Sequence, residues 1–179
     1  LFHALYEARG AGPGAAGAAD VYTVQIELAL EGGLDADRLA GAAQALIARH
    51  ASLRAGFAHE QLGRPVQVIA ARALAPWRLI DLTPQDDGGR ERSLAGLRAD
   101  ERAARFDLSR APLLRFALVR LDAQHHRLLV THHHLLMDGW SWPVLVGELL
   151  QLYAHGGDAS ALPPVPPYRA YLAHIAGLD

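Results

Sequence analysis

From Val21 the chain alternates. Tyr22, Val24, Ile26, Leu28 and Leu30 share one side, and Thr23, Gln25 and Glu27 the other. A period of two predicts a half-buried strand, closed by Gly32-Gly33. The period then lengthens. Asp35 suits a helix N-cap, and Leu39, Ala43, Leu46, Ile47 and His50 recur at helical spacing to about residue 50. Ser52–Phe57 and Pro65–Ile69 predict two strands joined by a turn containing Gly63, and Trp77–Leu82 a third. Asp86–Phe106 predicts a second helix, charged on most sides, with Leu94, Leu97 and Ala104 inward. Leu113–Leu121 and Arg127–His133 are apolar runs separated by a turn at Asp122–His126, the pattern of an antiparallel hairpin. Ser141 and Pro143 open a helix to Tyr153 with Leu145, Leu149 and Leu152 inward, and Gly156-Gly157 stops it. A Pro-rich connector, Asp158–Pro167, leads to a last helical segment, Tyr168–Ala176. At the start, Leu1–Arg9 has helical spacing and Gly10–Asp20 is a loop of small residues. No internal repeat is present. Helices and strands are mixed and the hairpin is antiparallel, so the expected fold is α+β, a sandwich of helices on a sheet.

The chain has 179 residues, 51% of them apolar, enough for one domain with a sizeable core. Net charge is −2, with Arg residues spread among Asp and Glu, which gives no reason to expect a nucleic-acid partner. The Arg-rich segment 90–105 reads as a solvated face. With no cysteine, disulfides and thiolate metal sites are excluded. Apolar runs fall short of the roughly 20 residues of a membrane span, and the start lacks a basic region followed by an apolar core. The expectation is a cytoplasmic chain without membrane contact. The first residue is Leu, and both ends read as cut from a longer polypeptide.

The chemistry concentrates in Thr131–Ser141, where three histidines end an apolar run, followed by an Asp-Gly turn and the start of a helix. His132 and His134 share a face if the strand continues. His132–His134 with His125-His126 raises a metal reading, but adjacent strand residues rarely supply tetrahedral ligand geometry, and no metal is expected. His125 and His126 read as exposed turn residues. Arg49 and His50 end a helix, where positive charge suits the dipole, and Trp140 and Trp142 read as packing residues beside the site.

His133-His134-x-x-x-Asp138-Gly139, or HHxxxDG, resembles the core motif of the condensation domains of nonribosomal peptide synthetases and of chloramphenicol acetyltransferase-like acyltransferases. Leu1–Tyr6 (LFHALY) resembles the tail of that family's opening motif. Arg49–Arg54 (RHASLR) resembles RHxxLR, and Phe106-Asp107-Leu108 with Pro112–Arg115 is similar to the segment leading into the core hairpin. Tyr168–His174 resembles YxDYxxW, with Ala170 in place of the Asp and His174 in place of the Trp.

The resemblance implies a chloramphenicol acetyltransferase-like αβ sandwich, a mixed sheet flanked by helices, as one lobe of a two-lobed domain. Residues 1–160 would be the N-terminal lobe and 161–179 the connector toward a C-terminal lobe, with the active site in a tunnel between lobes. It implies amide bond formation between a donor aminoacyl or peptidyl thioester and the amine of an acceptor aminoacyl thioester, with an isolated lobe inactive. An imidazole can take a proton from the amine or donate to the oxyanion at neutral pH. Without a cysteine or a nucleophile-elbow serine, direct transfer is favoured over an acyl-enzyme. His134 and His133 are the candidate catalytic residues. His134 would face the tunnel as general base or as a positioning and stabilising group, while His133 is expected to hydrogen-bond locally. In the family the motif's Asp pairs with the Arg of RHxxLR, which implies an Asp138–Arg54 salt bridge holding the loop. Gly139 would allow a conformation or close approach that a Cβ blocks, and Trp140 and Ser141 complete the motif.

No cofactor is expected on the chain, since phosphopantetheine arms of partner carriers deliver the substrates. The implied partners are donor and acceptor peptidyl carrier domains, the C-terminal lobe and a neighbouring adenylation domain. Carrier domains are usually acidic, so a basic patch such as the Arg-rich helix would be a natural dock. An epimerisation domain or a stand-alone acyltransferase shares HHxxxDG and stays open, as does a catalytically silent recruiting module. Heterocyclisation domains are disfavoured, because they carry Asp in place of the paired histidines. LFHALY and MDGWSWP look more like condensation domains whose donor ends in a D-residue.

Overall fold

A computed structural model of the chain describes residues 20–58 and 66–177. The alternating stretch forms β1 (Thr23–Glu31), and α1 (Ala36–Arg49) follows, capped by the Asp35 carboxylate accepting from the Arg38 N–H at 3.0 Å. A 3-10 turn over Ala51–Arg54 leads to β2 (Ala55–Ala58), paired antiparallel with β3 (Val66–Ile69) in a small separate ribbon. Then come β4 (Trp77–Asp81), α2 (Asp87–Ala103), β5 (Leu114–Arg120), β6 (His125–His133), α3 (Ser141–Ala154) and α4 (Tyr168–Ala176).

The main sheet has the order β1-β6-β5-β4. β6 is antiparallel to β1 and β5, whereas β4 runs parallel to β5, so the sheet is mixed. Helices cover both faces. On one, Leu114, Phe116 and Leu118 of β5 and Leu128 and Val130 of β6 pack against Leu39, Leu46 and Ile47 of α1 and Leu145, Leu149 and Leu152 of α3. On the other, Val119 meets Leu94 of α2 and Leu82, the residue after β4. Alternation along β6 therefore sends even-numbered side chains toward α1 and α3 and odd-numbered ones toward α2. α3 ends at Gly156 and Gly157, whose φ of 66° and 87° suit residues without a Cβ.

Several expectations change. The expected helix at Leu1–Arg9, all but the last residue of the Gly10–Asp20 loop, and the Gly63 turn lie outside the described residues. Ser52–Arg54 is 3-10 rather than strand, because the Leu53 N–H turns back to the His50 carbonyl at 3.1 Å. Ala104 caps α2 and is exposed; its inward place belongs to buried Glu101, which accepts from Arg78 and Arg115. α2 is not merely a solvated face: Arg98 forks onto Glu27 of β1 at 2.6 and 2.9 Å. His126 is buried rather than exposed, since β6 begins at His125 and places His126 in register with Leu30 and Arg120.

Candidate functional site

The three histidines stand in three environments. His132, on the α3 side, sets its ring edgewise to Trp142 at 5.1 Å, and its Nδ1 donates to the His133 carbonyl at 3.1 Å. Burial pushes its pKa below the ordinary histidine value, so the ring is neutral near pH 7. His133 points to the opposite face and is fully buried. The Leu135 N–H donates to its Nδ1 at 3.1 Å, which puts the ring proton on Nε2, 3.6 Å from an Asp20 carboxylate oxygen. Phe106 lies edge-on to the same ring at 6.4 Å. His133 thus shapes the turn that follows it, and the Leu136 N–H closes that turn on the His133 carbonyl at 2.9 Å.

The turn ends the strand at His133, so His134 does not continue the face of His132. The His134 N–H donates to the Tyr22 carbonyl at 2.8 Å, which ties its backbone to the start of β1 while its side chain stays exposed. Of the three, only His134 presents its imidazole to an incoming molecule.

Asp138 and Arg54 do not pair. One Asp138 oxygen accepts from the Ser141 N–H at 3.1 Å and the Ser141 hydroxyl at 2.9 Å, fastening the start of α3. The Ser141 hydroxyl is the main reason the Asp138 carboxyl lies below its ordinary pKa. Arg54 donates instead to carbonyls of Ile47 and Ala70, at 2.8 and 3.0 Å, and to those of Ala48 and His50. The physical reason is proximity: the last carbonyls of α1 have no helical donor, and Arg54 sits one short turn beyond them. Gly139 has no positive φ, and a Cβ built there meets nothing within 4 Å, so neither expected reason for a glycine holds. Trp142 packs, but Trp140 is 90% exposed.

Arg49 and His50 converge on Glu148 of α3, at 2.9 and 2.6 Å, and Arg49 also donates to the Pro163 carbonyl. Burial alone would raise the Glu148 pKa; hydrogen bonds from His50 and Arg49 outweigh it and hold the carboxyl below its ordinary value. Sequence reasoning missed Glu148. The available signal was its position as the one charged residue in the apolar stretch Ser141–Ala154. Between the end of α1 and the start of α3 lies a cavity of about 430 Å³, bordered by His50, Ser52 and the loop carrying Asp138. Among the described residues no group of three or more His, Cys, Asp or Glu could hold a metal ion, and no helix is long and apolar enough to cross a membrane.

A family model described as the Condensation domain matches residues 16–178. A linear gramicidin synthase chain of Brevibacillus parabrevis is 36% identical over 183 residues, covering 98% of this chain and 3% of that protein. Bacitracin synthase 1 of Bacillus licheniformis is 32% identical over 160 residues, covering 88% of this chain and 3% of that protein. Among solved structures, the first condensation domain of the calcium-dependent antibiotic synthetase, in complex with a substrate analogue, superposes with a TM-score of 0.74 at 27% identity, covering 92% of this chain and 38% of that one. The cyclization-docking bidomain of the EpoB nonribosomal peptide synthetase from Sorangium cellulosum superposes with a TM-score of 0.73 at 29% identity, covering 92% of this chain and 32% of that one. The chain thus spans a few hundredths of the synthetases it matches and about a third of the solved chains.

Proposed function

The chain belongs to the condensation-domain family of nonribosomal peptide synthetases, and from that premise we propose that it is the N-terminal lobe of a peptide-bond-forming domain. Residues 1–160 form the lobe, and 161–179 connect it to a C-terminal lobe that completes the tunnel. The substrates arrive as thioesters on the phosphopantetheine arms of donor and acceptor carrier domains. The acceptor amine attacks the donor thioester carbonyl. A C–N bond forms, the C–S bond breaks, and the donor carrier keeps its thiol while the amine gives up a proton.

His134 is the catalytic residue in this reading. It hydrogen-bonds the amine and either takes its proton or steadies the tetrahedral intermediate. The observation that carries the assignment is the division of labour within the motif. His133 is committed to the Leu135 N–H and buried, whereas His134 is exposed on a backbone pinned to Tyr22. His133 is a positioning residue that holds the turn, and Asp138 supports the same loop through Ser141 rather than through Arg54. Without the facing lobe the isolated chain would be inactive.

The test uses the two-lobed domain with loaded carriers, with donors of both configurations, following dipeptidyl-thioester formation. His134→Ala is expected to lower kcat/KM by about 10²–10⁴-fold with an unchanged circular dichroism spectrum. If the wild type forms no amide with any loaded pair, an epimerisation domain or a recruiting module replaces this reading.

A further inference from the structure

The cavity beside the histidine turn has the shape and chemistry of a binding site that the reaction scheme above does not use. Its volume, about 430 Å³, falls in the range of small-molecule sites and admits an aromatic or branched aliphatic side chain. Buried Leu53, Met137 and Leu145 contribute apolar walls. Trp140, 90% exposed, borders the opening with Val144, which is 59% exposed.

Two observations restrict the occupant. The first is position. Leu136, another lining residue, closes its N–H on the His133 carbonyl in the turn that contains His134, so one wall of the cavity is part of the loop presenting the catalytic imidazole. The second is charge. The carboxylates near the cavity are satisfied from within the protein: Glu148 by Arg49 and His50, Asp138 by Ser141. What remains for a ligand is a mainly apolar surface, with His50, Ser52, Ser141 and the Asp138 carboxylate at its polar edge. An uncharged side chain enters at little cost, whereas an anionic one would lose its water beside the Asp138 carboxylate without gaining a counter-ion.

We propose that this cavity receives the apolar side chain of a carrier-bound aminoacyl group, making the segment from His50 to Leu53 and the first turn of α3 a specificity-determining surface for the reaction. The proposal rests on the condensation reading. The shared chemistry, an apolar side chain on a thioester-linked amino acid, can come from the donor or from the acceptor, and the experiment separates the two.

In the two-lobed domain, phenylalanine, glycine and aspartate are loaded in turn on the donor carrier and then on the acceptor carrier, and kcat/KM is measured for each. The wild type is expected to favour phenylalanine over glycine and to use aspartate poorly at one of the two positions, which identifies the source. Val144→Trp fills the opening from an exposed helix position that tolerates a larger side chain. It is expected to lower the phenylalanine-to-glycine ratio at that position by about tenfold, the scale on which apolar pockets discriminate. Equal ratios in wild type and variant at both positions would overturn the proposal. So would a lowered melting temperature with both substrates slowed equally, which would make the cavity a contact between lobes. Calorimetric titration of the same proteins with the phenylalanyl and glycyl amides of aminopantetheine gives a readout independent of turnover. If no loaded pair yields an amide but the phenylalanyl compound binds more tightly and Val144→Trp removes the difference, the pocket stands and the condensation reading falls.

Discussion

Arg54 and Asp138 show how a motif's residues can be kept while the contact between them is not. Each has a nearer partner: Arg54 the orphan carbonyls at the end of α1, Asp138 the hydroxyl and N–H of Ser141. Arg54→Met therefore removes donors from several carbonyls at once and is expected to destabilise the domain by about 1–3 kcal/mol. Asp138→Asn keeps an acceptor for Ser141, and the two substitutions should add without coupling in urea unfolding; a clear coupling energy would restore the ion pair. The buried histidines make a second prediction. His126 and His132 both have folded pKa values pushed down, chiefly by burial. Their unfolded pKa lies near 6.5, so between the folded and unfolded values the unfolded chain holds more protons. Stability then falls as pH drops below about 6.5, by at most about 1.4 kcal/mol per pH unit for each ring. Unfolding midpoints measured from pH 7.5 to 5 should show this slope, and His132→Gln should flatten it.

At the scale of elements, the helices that follow the 3.6-residue period and the strands that alternate were legible in the sequence. α1 with its Asp35 cap, the β5–β6 hairpin and α3 appear within a residue or two of their expected bounds, because local propensity and tertiary burial agree there. α2 was legible as a helix but not in how it packs. Its inward face is partly ionic, and a charged residue that turns inward cannot be told from a solvated one until its partners are known. Glu101 is that case: 5% exposed, it joins Arg78 of β4 and Arg115 of β5 to the helix. Removing it takes the carboxylate from Arg115, whose side chain is 18% exposed and keeps the Ala104 carbonyl at 2.7 Å, so Glu101→Ala is expected to cost about 1–3 kcal/mol. A thermal unfolding curve indistinguishable from wild type would show that the pair contributes nothing net. The site divides in the same way. The histidines, Asp138 and Ser141 were visible as a motif, but Glu148 and the cavity come from segments distant in sequence, α1 and α3, brought together only by the shared core.

Across the whole molecule, His134, the proposed catalytic residue, stands one position beyond the most enclosed strand. β6 lies between β1 and β5 with helices over both faces, and six of its nine residues, Leu128–His133, are buried in succession. The β2–β3 ribbon is a separate two-stranded sheet, and α4 exposes Tyr171, Leu172 and Ile175. Native-state amide exchange should follow this order, because an amide that opens only with the global transition exchanges most slowly. Leu128–His133 are expected to be the slowest set, with the His134 amide, bonded to Tyr22, only modestly faster, and the ribbon and α4 fastest. The functional consequence is direct. In the proposed reaction His134 meets an amine to within a fraction of an ångström, and that role gains from a mount that does not fluctuate, while its side chain stays exposed. If His134 exchanged as fast as α4, the platform would be mobile, and the precision of the proposed reaction would have to come from the proposed facing lobe instead.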